Sequence, residues 1–359
     1  QELLEKIVAE GKAYVSEEES KSEPGKTVQV VRLRNPGTSV TFTDLVRGDI
    51  TFDTAELGDF VIARAIDDPL YHFAVVVDDM DMEVSHVIRG EDHISNTPRQ
   101  ILIQEAVGAT RPAYAHLPLI LAPDRTKLSK RHGATSLSEY RNEGFLPEAF
   151  TNYMGLLGWS PGSDREDFSL SELVAAFDLD GVQKHGAIWN REKLLDVNQR
   201  WMRTLSDTDF IAQGALAAPD AHKLMQIVPL LKERAKTFGE ARTLLAGELS
   251  TLFQSPVLDA GLLIAKEVVP GSTRTHLVGM AAHLEDLHEG MAASDIQTIL
   301  MPHADRVPKE EGGRGAVLWP LRYALSGMER SPDPFTLISI LGPAESGVRI
   351  QTALDILDK

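Results

Sequence analysis

Residues 69–133 read PLYHFAVVVDDMDMEVSHVIRGEDHISNTPRQILIQEAVGATRPAYAHLPLILAPDRTKLSKRHG, and the fold turns on how that stretch divides. FAVVVDD, residues 73–79, is a short Val-rich run stopped by two acids, and it is predicted as a buried strand. EVSHVIRG, residues 83–90, is predicted as a second strand ended by Gly90. Thr97-Pro98 opens an apolar-periodic helix through Ile101, Leu102, Ala106 and Val107, stopped at Gly108. Proline in the first turn suits a helix start, because its missing N–H would be unpaired there anyway. HLPLILAP, residues 116–123, is predicted as a third buried strand. Strand, helix, strand is the grammar of a parallel α/β sheet.

Outward from this stretch the pattern changes on both sides. Residues 1–11 form an amphipathic helix with Leu3, Leu4, Ile7 and Val8 on one face and Gly11 as its cap. SEEESKSEPGK, residues 16–26, is expected to be an exposed loop. The β-type runs 28–33, 39–42 and 59–65, with VRGDITFD between the last two, make a small β-rich unit that breaks at Asp67-Asp68-Pro69. Beyond Gly133 the pattern is helical: residues 146–157 carry apolar residues at helix spacing, and Ser169 with Glu172 makes a capping box. From Ser206 to the end only helices separated by Pro and Gly are expected.

The chain has 359 residues, 43% of them hydrophobic and 25% charged, a balance with enough apolar material for two or three cores. It has no long uninterrupted apolar run, so no membrane span is expected. Without cysteine, disulfides and thiolate zinc sites are excluded, and the cytoplasm is the expected compartment. A formal net charge of −17 repels nucleic acid globally. Any contact with nucleic acid must therefore use local basic patches.

Two constellations could carry chemistry. In DRTKLSKRHG, residues 124–133, the cations Arg125, Lys127, Lys130 and Arg131 fall within seven residues with a hydroxyl between the lysines. Such a loop at a strand end can neutralise growing polyphosphate charge. On charge alone, a solvated basic loop is the commoner meaning. The second constellation is PLYHFAVVVDD followed by VIRGEDH. Arg89 stands at a strand end beside Gly90, where its planar fork can clamp a carboxylate; the plainer reading pairs it with Asp78, Asp79 or Glu91. His86 and His93 have no third ligand nearby in sequence, so a zinc site is not expected.

KLSKR resembles the KMSKS loop of class I aminoacyl-tRNA synthetases, and KLSKRHGA with GEDHISNTPRQ resembles the bacterial-type glutamyl-tRNA synthetases in particular. EGFLPEAFTNYMGLLGWSPG and KHGAIWNREKLLDVNQRWM resemble that family's helical stem-contact region, and LWPLRYALSGMERSPDPFTLISILG the end of its helical anticodon-binding domain. The resemblance implies an α/β class I fold: an insert domain over residues 1–67, the second half of a Rossmann-type catalytic domain over 68–133, a stem-contact domain over 134–205 and an all-helical anticodon-binding domain over 206–359. It implies a ligase that activates glutamate with Mg-bound ATP and transfers it to the 3′ end of tRNA-Glu. Glutamate contacts would fall at Tyr71, Val75 and Arg89. ATP contacts would fall at Asp92, Ile120, Lys127, Leu128, Ser129, Lys130 and Arg131, with Lys130 assisting nucleotidyl transfer.

Zinc, which some members hold on a cysteine-bearing insert, is not implied here, where Ala13-Tyr14-Val15 stands without cysteine. A monomer is expected. No HIGH-type motif occurs in the 359 residues. The half of the fold that carries it is expected upstream, and these residues alone are expected to bind tRNA weakly without forming adenylate, with Arg125, Lys127, Arg131, Arg322 and Arg349 as the basic contacts. A non-catalytic tRNA-binding fragment or paralogue, a glutaminyl-type synthetase and a structural protein that keeps the fold remain as alternatives.

Overall fold

A computed structural model describes residues 1–19, 25–129, 131, 136–264 and 271–358. Contacts divide the chain into two compact units, Gln1–Thr135 with Thr151–Arg191, and Ser136–Phe150 with Glu192–Lys359.

The first unit begins with α1 (Glu2–Ala9), whose Leu4 and Ile7 are fully buried, and the chain turns through Gly11 at φ 73°. Then come β1 (Ala13–Glu19), β2 (Thr27–Leu33), β3 (Ser39–Asp44), β4 (Gly48–Asp53), β5 (Phe60–Ala65) and the two-residue β6 (Asp68–Pro69). One sheet has the order β1-β2-β5-β6, antiparallel throughout. The loop expected over residues 16–26 is partly strand: Ser16 to Glu19 pair with β2. Alternation explains this, since one face of the Glu-rich run is left to solvent.

FAVVVDD is not a strand. It lies in α2 (Tyr71–Asp81), which starts directly after Pro69-Leu70. Phe73 and Val76 are buried, with Val77 and Met80 packed against the same core. Those positions are spaced three, four and seven apart, so the helical period of the run outweighed the strand preference of its valines. The strand β7 (His86–Gly90) and helix α3 (Thr97–Val107) follow as expected, with Gly108 left-handed at φ 80°. The expected third strand divides at Pro118. Its buried part is β8 (Ala113–Leu117), displaced toward the N-terminus, and Ile120–Leu121 form a separate short β9.

The strand β8 runs parallel to β7 on one side and to β3 on the other, giving the order β4-β3-β8-β7. Helix α3 makes the crossover and is buried on nearly all faces; its Gln104 amide donates to the Tyr114 hydroxyl at 3.0 Å. Leu4, Val31, Phe42, Phe73, Ile101 and Tyr114 belong to one core. The break expected near residue 67 is therefore no boundary of packing: β3 pairs with β8, and the core passes under both segments.

The chain continues with α4 (Leu137–Glu143), α5 (Pro147–Leu156), α6 (Leu170–Ala176), β10 (Ala187–Ile188) and α7 (Arg191–Thr204). The Ser169–Glu172 capping box is present, and β10 lies parallel to β9. The helices α8 (Asp207–Gly214), α9 (Ala221–Arg234), α10 (Phe238–Ala246), α11 (Ala260–Leu263), α12 (Ser272–His283), α13 (Ala293–Asp305), α14 (Gly313–Ser326) and α15 (Pro334–Leu357) complete the second unit. No strand occurs among its described residues from 206 onward. The kink in α15 falls at Gly342, φ 77°, before Pro343.

Two cations expected on the tRNA face are used internally. Arg349 is 4% exposed and donates to the carbonyls of Thr251 at 2.8 Å, Leu325 at 2.6 Å and Gln254 at 3.2 Å, and to Glu345 at 2.5 Å. Lys223 pairs with the other oxygen of Glu345. Arg322 donates to Ser331 and to the Glu329 carbonyl and lies over the Trp319 ring. Neither residue is a free surface charge, because the carbonyls at helix ends needed donors that the backbone could not supply. Arg349→Ala would take that donor from three carbonyls and leave the Glu345 carboxylate with Lys223 as its ion-pair partner. It is expected to lower unfolding free energy by about 3 kcal/mol in a urea titration.

Candidate active site

Arg89 lies near the C-terminal end of β7, where parallel strands of an α/β sheet present ligands. Its guanidinium meets none of the carboxylates expected to neutralise it. Nε donates to Nε2 of His116 at 3.1 Å, and Nη2 to Oγ1 of Thr97 at 2.8 Å and to the His93 carbonyl at 3.5 Å. Glu91 pairs instead with Arg47 and accepts from the Leu119 N–H. Burial pushes the Arg89 guanidinium below its ordinary value, while Tyr114, Tyr71 and Asp79 nearby favour its charge.

His116 is fully buried on β8, and its Nδ1 lies 2.6 Å from the carboxylate of Asp44, which is 1% exposed. Asp44 ends β3 and accepts from the backbone of Val46, Arg47 and His116 as well. Burial alone would raise the Asp44 pKa. The hydrogen bonds from His116, Arg47 and Val46 outweigh it and hold the carboxyl below the ordinary 3.8. Burial holds His116 below its ordinary 6.5, although Asp44 pulls the other way. An arginine nitrogen can only donate, so His116 Nε2 must accept. The ring is thus neutral with its proton on Nδ1. Asp44 and His116 carried no signal for this role, and Thr97, within GEDHISNTPRQ, was read only as a helix start; buried polar contacts are visible only once the sheet is assembled.

The other described residues of the expected site lie in the same compact unit as Arg89. Tyr71 is the first residue of α2 and 59% exposed, with Val75 one turn on along the same helix. Burial, with the nearby charges of Arg99 and Arg89, pushes the pKa of His72 beside it below the ordinary 6.5. Asp92 follows Gly90, where a Cβ would stand 2.7 Å from the Asp92 carboxylate, so glycine admits this turn. Lys127 reaches back to Asp92 at 2.9 Å. Ile120 lies in β9, and its carbonyl accepts from the Leu128 N–H at 3.1 Å. The basic segment thus folds back on β9 through a tight turn, with Arg125 at φ 66° and Asp124 holding Thr126. Arg131 donates to the Ser129 hydroxyl. Lys130 lies outside the described residues.

The His116 proton balance makes a prediction. Below about 6.5 the unfolded chain takes up a proton that folded His116 refuses, so stability falls as pH drops beneath that value. Asp44 contributes stability above 3.8 that is lost only as pH falls through its lower folded value. The melting temperature should therefore decline between pH 7 and 5, and His116→Gln should reduce that slope relative to the parent. An identical slope in both proteins would contradict a neutral buried His116.

Residues 1–196 match the family of tRNA synthetases class I (E and Q), catalytic domain, and residues 194–354 match the anticodon binding domain family. The glutamate–tRNA ligase of Carboxydothermus hydrogenoformans is 40% identical over 337 residues, which is 89% of this chain and 68% of that protein. The glutamate–tRNA ligase of Thiobacillus denitrificans is 40% identical over 351 residues, 92% of this chain and 71% of that protein. A crystal structure of a glutamate tRNA ligase from Elizabethkingia meningosepticum, in complex with its amino acid, superposes with a TM-score of 0.76 at 28% identity, over 99% of this chain and 77% of that one. The chain belongs to the class I glutamyl- and glutaminyl-tRNA synthetase family, among its glutamate–tRNA ligases.

Proposed function

We propose that this chain carries the amino-acid clamp and phosphate loop of a glutamate–tRNA ligase, and that Arg89 binds the carboxylate of glutamate. The observation that carries this is the guanidinium at the end of β7, held by neutral acceptors and so still charged toward a ligand. Tyr71 and Val75 on α2 would complete the amino-acid pocket. Asp92, Ile120, Lys127, Leu128, Ser129, Lys130 and Arg131 would take ATP, which enters as its Mg2+ complex.

The reaction proceeds in two displacements. A glutamate α-carboxylate oxygen attacks the α-phosphorus of ATP; the bond to the β-phosphate oxygen breaks, and pyrophosphate leaves. The terminal ribose hydroxyl of tRNA-Glu then attacks the acyl carbon, loses its proton, and AMP departs. Lys127 pairs with Asp92 at 2.9 Å and can exchange that partner for phosphate. Lys130 would face the charge that grows on the leaving pyrophosphate. An all-helical region after residue 206 supports the glutamyl over the glutaminyl type, and the lack of cysteine suits a cytoplasmic enzyme.

The enzyme that carries this chain should exchange pyrophosphate into ATP with glutamate and tRNA-Glu present, and not with glutamine. Lys130→Ala should lower kcat roughly 100-fold or more with little change in the tRNA dissociation constant, because a cation aimed at developing charge acts in the transition state. Activity within a few-fold of the parent would mean that the basic loop is only solvated surface.

A further inference from the structure

We propose that Asp44 and His116 are positioning residues for the amino-acid site, together fixing the guanidinium of Arg89 in the orientation that receives a carboxylate; this rests on Arg89 being the glutamate clamp. The argument begins with what an arginine clamp needs. Its planar fork must be held at one edge and left free at the other. Here Nε is taken by His116 and one Nη2 hydrogen by Thr97. The second Nη2 hydrogen points to the His93 carbonyl at 3.5 Å, and Nη1 remains for a ligand.

What holds the fork matters as much as where. A carboxylate in direct contact would compete with the ligand's own carboxylate. Among the described residues no acid lies within ion-pair distance of Arg89; the holders are an imidazole nitrogen, a hydroxyl and a carbonyl. Yet imidazole can accept from Arg89 only in one tautomer. The other would point an N–H at the Nε–H and push the guanidinium away. Asp44 decides between them: its carboxylate, 2.6 Å from Nδ1, can only accept, so the proton stays on Nδ1. The Asp44 charge is itself satisfied by three backbone N–H groups, which keep it from turning elsewhere. One buried carboxylate thus sets a tautomer, and the tautomer sets the clamp, without adding a negative charge to the pocket.

The test is aminoacylation of tRNA-Glu by the enzyme that carries this chain, with KM for glutamate, KM for ATP and kcat measured separately. His116→Phe removes the acceptor at similar volume. Asp44→Asn keeps the shape but lets the amide donate to Nδ1, which frees the wrong tautomer. Both are expected to raise KM for glutamate about tenfold or more, the scale of one lost hydrogen bond to a charged group. Both should leave KM for ATP and kcat at saturating glutamate within about threefold. His116→Gln, whose amide oxygen can stand where Nε2 stood, is expected to recover most of the loss. Should His116→Phe not accumulate in folded form, Asp44→Asn carries the test alone.

An unchanged glutamate KM in Asp44→Asn overturns the proposal, as does an equal rise in both KM values, which marks general loss of packing. Arg89→Lys separates the two levels. If it raises glutamate KM while Asp44→Asn does not, the clamp stands and its positioning by Asp44 and His116 is wrong. If Arg89→Lys leaves glutamate KM unchanged, the clamp itself is wrong and the positioning falls with it.

Discussion

The buried contact between the Asp44 carboxylate and the His116 imidazole is the interaction on which the site depends. It joins the end of β3 to β8, the two strands whose parallel pairing links the β-rich segment to the α/β segment. Burying a carboxylate is costly unless its lone pairs are filled. Asp44 fills them with the N–H groups of Val46, Arg47 and His116 and with the His116 ring. The turn after β3, the register of β8 and the tautomer of His116 are then settled together. The orientation of Arg89 follows from the tautomer.

Some of the cations expected to meet a polyanion are used inside the protein. With a net charge of −17, attraction of tRNA must come from local groups. Arg349 and Arg322 serve the interior of the helical unit, and Arg47 serves Glu91. Arg125, Lys127 and Arg131 stay exposed in the segment that folds back on β9. Lys127 is tied only to a solvent-exposed Asp92, a pair of small worth that an incoming phosphate can replace. Exchangeable positive charge thus stands in the segment that reaches Asp92, while Arg349 is spent on carbonyls of the helical unit.

Much of this was legible in the sequence. KLSKRHG and VIRGEDH named the candidate site residues, Gly108 and the Ser169–Glu172 pair located helix ends, and the run beyond Ser206 read correctly as helical among the described residues. The stretch FAVVVDD did not. Three consecutive valines suggest a strand, and only the wider spacing of Phe73, Val76, Val77 and Met80 reveals the helix that forms. HLPLILAP concealed its break at Pro118, since apolar content does not distinguish one buried strand from two short pieces in different sheets. Arg349 looked like a surface cation because its partners, Glu345 apart, are carbonyls, which no sequence displays. Asp44 and His116 are 72 residues apart and meet only through the β3–β8 pairing. Local reading named the residues proposed to touch substrate, and not the ones that hold Arg89.

The most direct measurement is the protonation of the His116 ring, by long-range proton–nitrogen NMR correlation on protein labelled at histidine nitrogen, with His116→Gln assigning the signal. Nδ1 should be protonated and Nε2 bare at neutral pH, and the ring should stay neutral below 6.5, where a free histidine has begun to charge. A proton on Nε2, or an imidazolium with an ordinary titration, would contradict the orientation of Arg89 by Asp44 and His116.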